Sequence, residues 1–209
     1  MTNQQPNGQT TSLTQNSRTR QITLIGLMTA ITCILAPLSI PLPFSPVPIS
    51  LTNLVIFISV FILGMKDATI SFLIYLLLGA VGLPVFASFH AGLSVLAGPT
   101  GGYLIGFIFL ALIQGFAMKY FDRKLIPTII GMLIGMAVCY IFGTVWLAKL
   151  MSLSFKEGLF MGVIPYLPGD AVKIIIAVIV GPKLYAATEW VKFENKYMRH
   201  DIGKAIDEA

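Results

Sequence analysis

Ile126-Pro-Thr-Ile-Ile-Gly-Met-Leu-Ile-Gly-Met-Ala-Val-Cys-Tyr-Ile-Phe-Gly-Thr-Val-Trp-Leu-Ala-Lys-Leu150 decides the fold. The run carries no charge before Lys149, and its apolar residues are continuous rather than alternating. A membrane β-strand alternates apolar and polar side chains, so this run reads as a helix crossing lipid. The whole chain agrees. Of 209 residues, 56% are hydrophobic and only 11% charged, and mean hydropathy is +0.84. A soluble domain usually carries about 25% charged residues. Too little polar side chain is encoded to cover a water-facing globule, so the solvent for most of the chain is lipid.

The apolar runs predict an all-α, polytopic membrane protein of six transmembrane helices. They cover Ile22–Ile40, Leu51–Gly64, Ala68–Leu83, Gly102–Phe121, Ile126–Leu150 and Pro168–Val191. Residues 1–20, rich in Thr, Gln and Asn, read as a disordered cytoplasmic tail. Residues 21–192 form the membrane domain, and 193–209 a cytoplasmic C-terminal tail. The second and third helices are short for a full crossing. Their outer ends are expected to stop below the surface, leaving a concavity roofed by loops.

Orientation follows from Lys and Arg. With the N-terminus inside, inner segments hold Arg18, Arg20, Lys66, Lys119, Arg123, Lys124, Lys183, Lys192, Lys196, Arg199 and Lys204. Outer segments hold only Lys149 and Lys156. That bias puts both termini in the cytoplasm and requires an even helix count. It also accounts for the net charge of +5 without nucleic acid as a partner.

Two outer loops are unlike solvated connections. Pro41-Leu-Pro-Phe-Ser-Pro-Val-Pro48 is proline-dense, which favours polyproline II and excludes helix. Gly82–Tyr103 has no full charge and several apolar and aromatic residues. Irregular backbone at membrane depth is tolerated where protein or a cavity buries it, so both loops are expected to wall an outward-facing pocket. Packing on top of the bundle is the plainer reading.

Pro168-Gly-Asp-Ala-Val-Lys173 carries the strongest chemical signal. Pro168 suits a first helical turn, and Asp170 then lies near the positive end of the helix dipole. Lys173, three residues on, shares its face. Lys173 could snorkel outward, or the two could only neutralise each other. If they face a cavity, Lys173 can bind a carboxylate or carbonyl oxygen and Asp170 can accept N–H groups. Gly26 and Ala30 make a small-xxx-small pair for close helix approach, internal or external; Gly131 and Gly135 repeat it. Cys33 and Cys139 read as small buried hydrophobes. His90 and His200 stand alone, so no metal site is expected. No GxxxxGK[ST], HExxH or GxSxG occurs, which speaks against a nucleotide-binding P-loop and against an enzyme.

At this point a resemblance becomes specific. Gly79-Ala-Val-Gly-Leu-Pro-Val-Phe-Ala87, Gly98-Pro-Thr-Gly-Gly-Tyr-Leu-Ile-Gly-Phe107, Pro46-Val-Pro-Ile-Ser-Leu-Thr-Asn53 and Gly169-Asp-Ala-Val-Lys173 resemble the BioY family. These are the biotin-specific S components of energy-coupling factor (ECF) transporters. Ser50 and Asn53 stand where that family is associated with Thr and Gln. The resemblance implies a multi-pass protein of the bacterial cell membrane that captures biotin from outside, with no cofactor of its own. It implies a transmembrane coupling subunit and two cytoplasmic ATPases as partners, with Gly26 and Ala30 docking on the coupling subunit. Asp170, Lys173, Tyr166, Asn53, Ser50, Phe86, Tyr103 and Gly102 are the expected substrate-binding residues. The alternatives are an S component or small secondary carrier for another vitamin, an intramembrane enzyme such as an acyl transferase, and a purely structural scaffold.

Overall fold

The computed structural model describes residues 8–207, with side-chain surroundings for residues 18–188. The order is α1 (Gly8–Leu35), β1 (Ser39–Leu42), β2 (Ser45–Ser50), α2 (Thr52–Leu63), α3 (Met65–Ala80), α4 (Leu93–Ala97), α5 (Gly101–Tyr120), α6 (Leu125–Met151), α7 (Phe155–Gly162) and α8 (Leu167–Asp207). Short 3₁₀ turns occupy Ala87–Phe89 and Ile164–Tyr166. Among the described residues, three helical stretches are long and apolar enough to cross a membrane: Gly101–Tyr120, Leu125–Met151 and Phe155–Thr188. Thr52–Leu63 is apolar but shorter.

Most expected helices are found, and the differences have local causes. α1 stops at Leu35 rather than Ile40, because Pro37 lacks the N–H that a continuing helix needs. It also begins at Gly8, so the part of the expected disordered tail from residue 8 onward is helical; residues 1–7 lie outside the described residues. Once an apolar span has nucleated a helix, each further turn adds hydrogen bonds without a second nucleation cost, even through polar residues. The same extension carries α8 past Val191 to Asp207.

The proline-dense loop after α1 corrects the polyproline II expectation and the strictly all-α class. β1 and β2 form an antiparallel hairpin pairing Ser39 with Ser50, Ile40 with Ile49 and Leu42 with Ser45, with a register irregularity between Ile40 and Leu42. A two-stranded ribbon consists of edges only, so prolines fit where the missing N–H would have faced away from the partner.

α2 and α3 meet without a loop. Gly64 turns the chain between them at φ +81, a conformation glycine adopts without steric cost. At 1.5 Å per residue, α2 spans about 18 Å and α3 about 24 Å, both short of a ~30 Å hydrocarbon core. α5 packs along α6, α2 lies against α8, and α1 lies against α3. Glycines make the α5–α6 contact close: a Cβ on Gly106 would stand 2.8 Å from Cys139 Cα, and one on Gly135 3.1 Å from Leu110 Cα. Thus Gly131 and Gly135 serve an internal contact. Phe57, Val60, Phe72, Tyr75, Leu110 and Met132 fill the core between the helices. Leu133, Ile134 and Ile141 of α6 remain exposed, as a helix facing hydrocarbon requires.

Candidate functional site

The short α2 leaves room beyond its Thr52 end. A cavity of about 470 Å³ lies there, within the usual range for small-molecule sites. Its floor comes from α2, α6 and α8. Its roof comes from both unusual loops: Ser45–Pro48 of the hairpin and Phe86–Ser88, His90 and Gly98–Thr100 of the second. The two loops are tied together by a 2.9 Å hydrogen bond between Ser39 Oγ and Ser88 Oγ, and Ser88 N donates to Pro37 O at 3.1 Å. Tyr166 Oη donates to the Val47 carbonyl and to Ser45 Oγ at 2.8 Å, holding the hairpin onto the bundle.

Polar chemistry gathers at one wall. Pro168 sits in the first turn of α8, which sets Asp170 and Lys173 one turn apart on the same face. Lys173 Nζ lies 2.9 Å from Asp170 Oδ1, and the two residues are only 8% and 6% exposed. Lys173 therefore does not snorkel to the surface. The pair does neutralise itself, but on the cavity wall. Lys173 Nζ also donates to Ser50 O at 2.6 Å and to Asn53 Oδ1 at 3.0 Å. Asn53 Nδ2 donates to Asp170 Oδ1 at 2.7 Å, and Tyr140 Oη donates to Asp170 Oδ2 at 2.5 Å.

Counting valences shows what the wall still offers. An ammonium has three N–H groups, and Lys173 directs all three at protein acceptors. A carboxylate has about four acceptor positions, of which Asp170 uses three. One Asp170 lone pair and the second Nδ2 hydrogen of Asn53 stay available. An incoming carbonyl oxygen can compete for a Lys173 hydrogen. The wall thus suits a compact group that both donates N–H and accepts at oxygen. The remainder is mostly apolar or aromatic: Tyr75, Phe86, Tyr103, Leu104, Phe107 and Met136.

Of the expected site residues, Asp170, Lys173, Asn53, Ser50, Tyr166, Phe86 and Tyr103 all line this cavity. Gly102 does not. A Cβ there would collide with Trp146 and stand 2.9 Å from Phe142 O, so its role is the close α5–α6 approach. Phe86 is fully buried, packs edge-on to Tyr75 at 5.6 Å, and its ring rests on Gly79, where any Cβ would strike it. Tyr103 Oη donates to Gly162 O at 3.0 Å, joining α5 to the end of α7. Tyr140 was not legible as a site residue. Its only signal is a phenol inside an apolar span, which needs a partner when buried. Gly26 and Ala30 lie away from the cavity, exposed on one face of α1; a Cβ on Gly26 would meet nothing among the described residues within 4 Å.

The chain resembles known proteins along most of its length. The sequence model described as the BioY family matches residues 7–189. The chain is 32% identical over 183 residues to biotin transporter BioY2 of Lactococcus lactis subsp. cremoris, covering 88% of this chain and 98% of that protein. It is 35% identical over 165 residues to biotin transporter BioY of Thermotoga maritima, covering 79% of this chain and 95% of that protein. The crystal structure of the S-component for biotin from an ECF-type ABC transporter superposes with a TM-score of 0.76 at 31% identity, over 81% of this chain and 92% of that one.

Proposed function

This chain belongs to the BioY family, and from that membership we propose that it is the S component that captures biotin for ATP-driven import by an ECF transporter. It is a transport protein, not an enzyme: the ligand leaves as it arrived. The observation that carries the site reading is the buried Asp170–Lys173–Asn53–Tyr140 network on the wall of a largely apolar cavity.

Biotin's ureido group presents two N–H donors and one carbonyl acceptor, while its bicycle is apolar. Asp170 and Lys173 match that group in sign and number. The ureido end, rather than the valerate carboxylate, belongs at this wall. A carboxylate there would sit beside the buried Asp170 carboxylate, and like charges in a poorly solvated site repel strongly. Lys173 is the one Lys or Arg among the lining residues, and Asp170 already neutralises it. The carboxylate therefore points toward the roof, where Ser45, Ser88, Ser94 and Thr100 offer hydroxyls.

The membrane arrangement we infer has six spans, α1, α2, α3, α5, α6 and α8, in the bacterial cell membrane with both termini cytoplasmic. The distribution of Lys and Arg supports it. The exposed small residues Gly26 and Ala30 support docking of a transmembrane coupling subunit on α1, which two cytoplasmic ATPases would drive.

The test is an equilibrium titration of the purified protein with biotin, thiamine and riboflavin. Saturable one-to-one binding of biotin alone is the expected result. Absence of saturable biotin binding in folded protein rejects the assignment. Within the site, Tyr140→Phe removes one hydrogen bond to a charged group, worth about 1.5–3 kcal/mol. Part of that cost falls on folding, so biotin affinity is expected to drop about tenfold, checked by calorimetry. An unchanged affinity would mean that Tyr140 only fills space.

A further inference from the structure

The bundle holds a second concavity, about 630 Å³, at the far ends of α2 and α5. It lies about 15 Å along the helices from the biotin wall, since α2 runs from Asn53 to Leu63 at 1.5 Å per residue and ends there. Lys66, Lys119, Asp122 and Arg123 line it, with Gly64 and Gly115 at its base. Three cations face one carboxylate. Among the described residues the sole ion pair is Asp170–Lys173, so Lys66 and Lys119 have no anionic partner. Neither charge serves the biotin site.

Arg123 is already committed. Its Nη1 donates to Phe61 O at 2.8 Å, capping the end of α2, and its guanidinium lies 3.8 Å over the Tyr185 ring of α8. Asp122 and Arg123 both hold positive φ, at 48° and 57°. A backbone conformation unfavourable for side-chain-bearing residues is thus kept where it aims Arg123 into the concavity. The two lysines remain as exposed cations in its lining.

The residues flanking Lys119 in the chain narrow the choice of ligand. Phe116 is 61% exposed and stacks on Tyr120, itself 71% exposed, with ring centroids 5.8 Å apart. Phe121, Leu125 and Ile126 continue this apolar collar. Water would not favour such a collar, whereas acyl chains would, and Tyr suits the headgroup level. A basic pocket between helices, with exposed aromatics flanking Lys119 in the α5 sequence, matches a phosphodiester with hydrocarbon attached.

We propose that this concavity binds the phosphate of an anionic phospholipid, with Lys66 and Lys119 as its principal ligands and the Phe116–Tyr120 face against its acyl chains. The site would anchor the end of the bundle opposite the biotin cavity in one leaflet.

The test uses full-length purified protein and native mass spectrometry, with phosphatidylglycerol and phosphatidylcholine in equal amounts. Wild type is expected to retain phosphatidylglycerol preferentially. Each basic residue near a charged lipid is worth about a fivefold preference, so Lys66→Gln/Lys119→Gln should lower it by about twenty-five-fold. Lys149→Gln/Lys156→Gln, equal in charge removed, should leave it intact. Biotin titration of the Lys66→Gln/Lys119→Gln protein should match wild type, which shows that it is folded and separates this idea from the assignment of the biotin site. Equal retention of the two lipids by wild type overturns the proposal on its own. So does an unchanged preference after Lys66→Gln/Lys119→Gln, or an equal loss in the Lys149→Gln/Lys156→Gln control. Inorganic phosphate that stabilises wild type against heat while no lipid preference exists would assign the pocket to a free anion instead.

Discussion

Asp170→Asn is expected to weaken biotin binding by about a hundredfold or more and to lower the melting temperature. The substitution removes the counterion of Lys173 while leaving that lysine buried at 8% exposure. Breaking a buried pair by deleting one partner costs about 3–5 kcal/mol, because an uncompensated charge remains. Loss of affinity alone is therefore ambiguous: a protein whose core charge is unpaired binds badly for structural reasons. Asp170→Asn/Lys173→Met resolves this. Replacing both charges together is often neutral for stability. If the pair contacts biotin, this protein recovers most of its melting temperature yet binds no better than Asp170→Asn. If the pair serves folding only, affinity returns with stability, and the ureido assignment is lost. Calorimetric titration and thermal unfolding on the same samples read both quantities.

That ambiguity marks how far the sequence could be read. An Asp and a Lys three residues apart after a proline can be placed on one helix face from spacing alone, because helix geometry is local. Whether that face meets lipid, protein or a cavity depends on residues far away in the chain. Asn53, 117 positions from Asp170, and Ser50, 123 from Lys173, decide it. The BioY-like motifs brought Asn53 and Ser50 forward, but no motif pointed to Tyr140, whose phenol is silent until α6 lies against α8. Gly102 fails in the opposite direction. Its motif neighbours line the cavity, yet a glycine has no side chain to direct, and its value is the space it leaves for Trp146. The proline-rich loop does not announce its hairpin, because proline locally signals only the exclusion of a helix. Proline does not exclude an edge strand whose partner and anchoring Tyr166 are supplied from elsewhere. Continuous apolar runs, by contrast, marked helices directly, since lipid admits few other solutions.

Gly26→Trp and Ala30→Trp are expected to cut ATP-driven biotin uptake by about tenfold or more while leaving biotin affinity unchanged. Both residues lie exposed on one face of α1, and no neighbour among the described residues lies within 4 Å of a Cβ built on Gly26. A packing role inside this bundle would have shown a neighbour, as Gly106 and Gly135 do. A small-xxx-small face turned outward offers instead a surface that another helix can approach closely, and such approach is what drives helix association in lipid. Indole on that face holds the partner back by several ångströms. Losing about 1.4 kcal/mol of docking already weakens the association constant tenfold. The comparison that isolates the face is Ile134→Trp, an equally large change at an exposed position of α6, which should not alter uptake. Uptake is measured in vesicles holding the whole transporter, and affinity on the isolated chain. Should Gly26→Trp and Ala30→Trp transport biotin like wild type, α1 is not where the coupling subunit docks, although capture of biotin at the Asp170–Lys173 wall would stand.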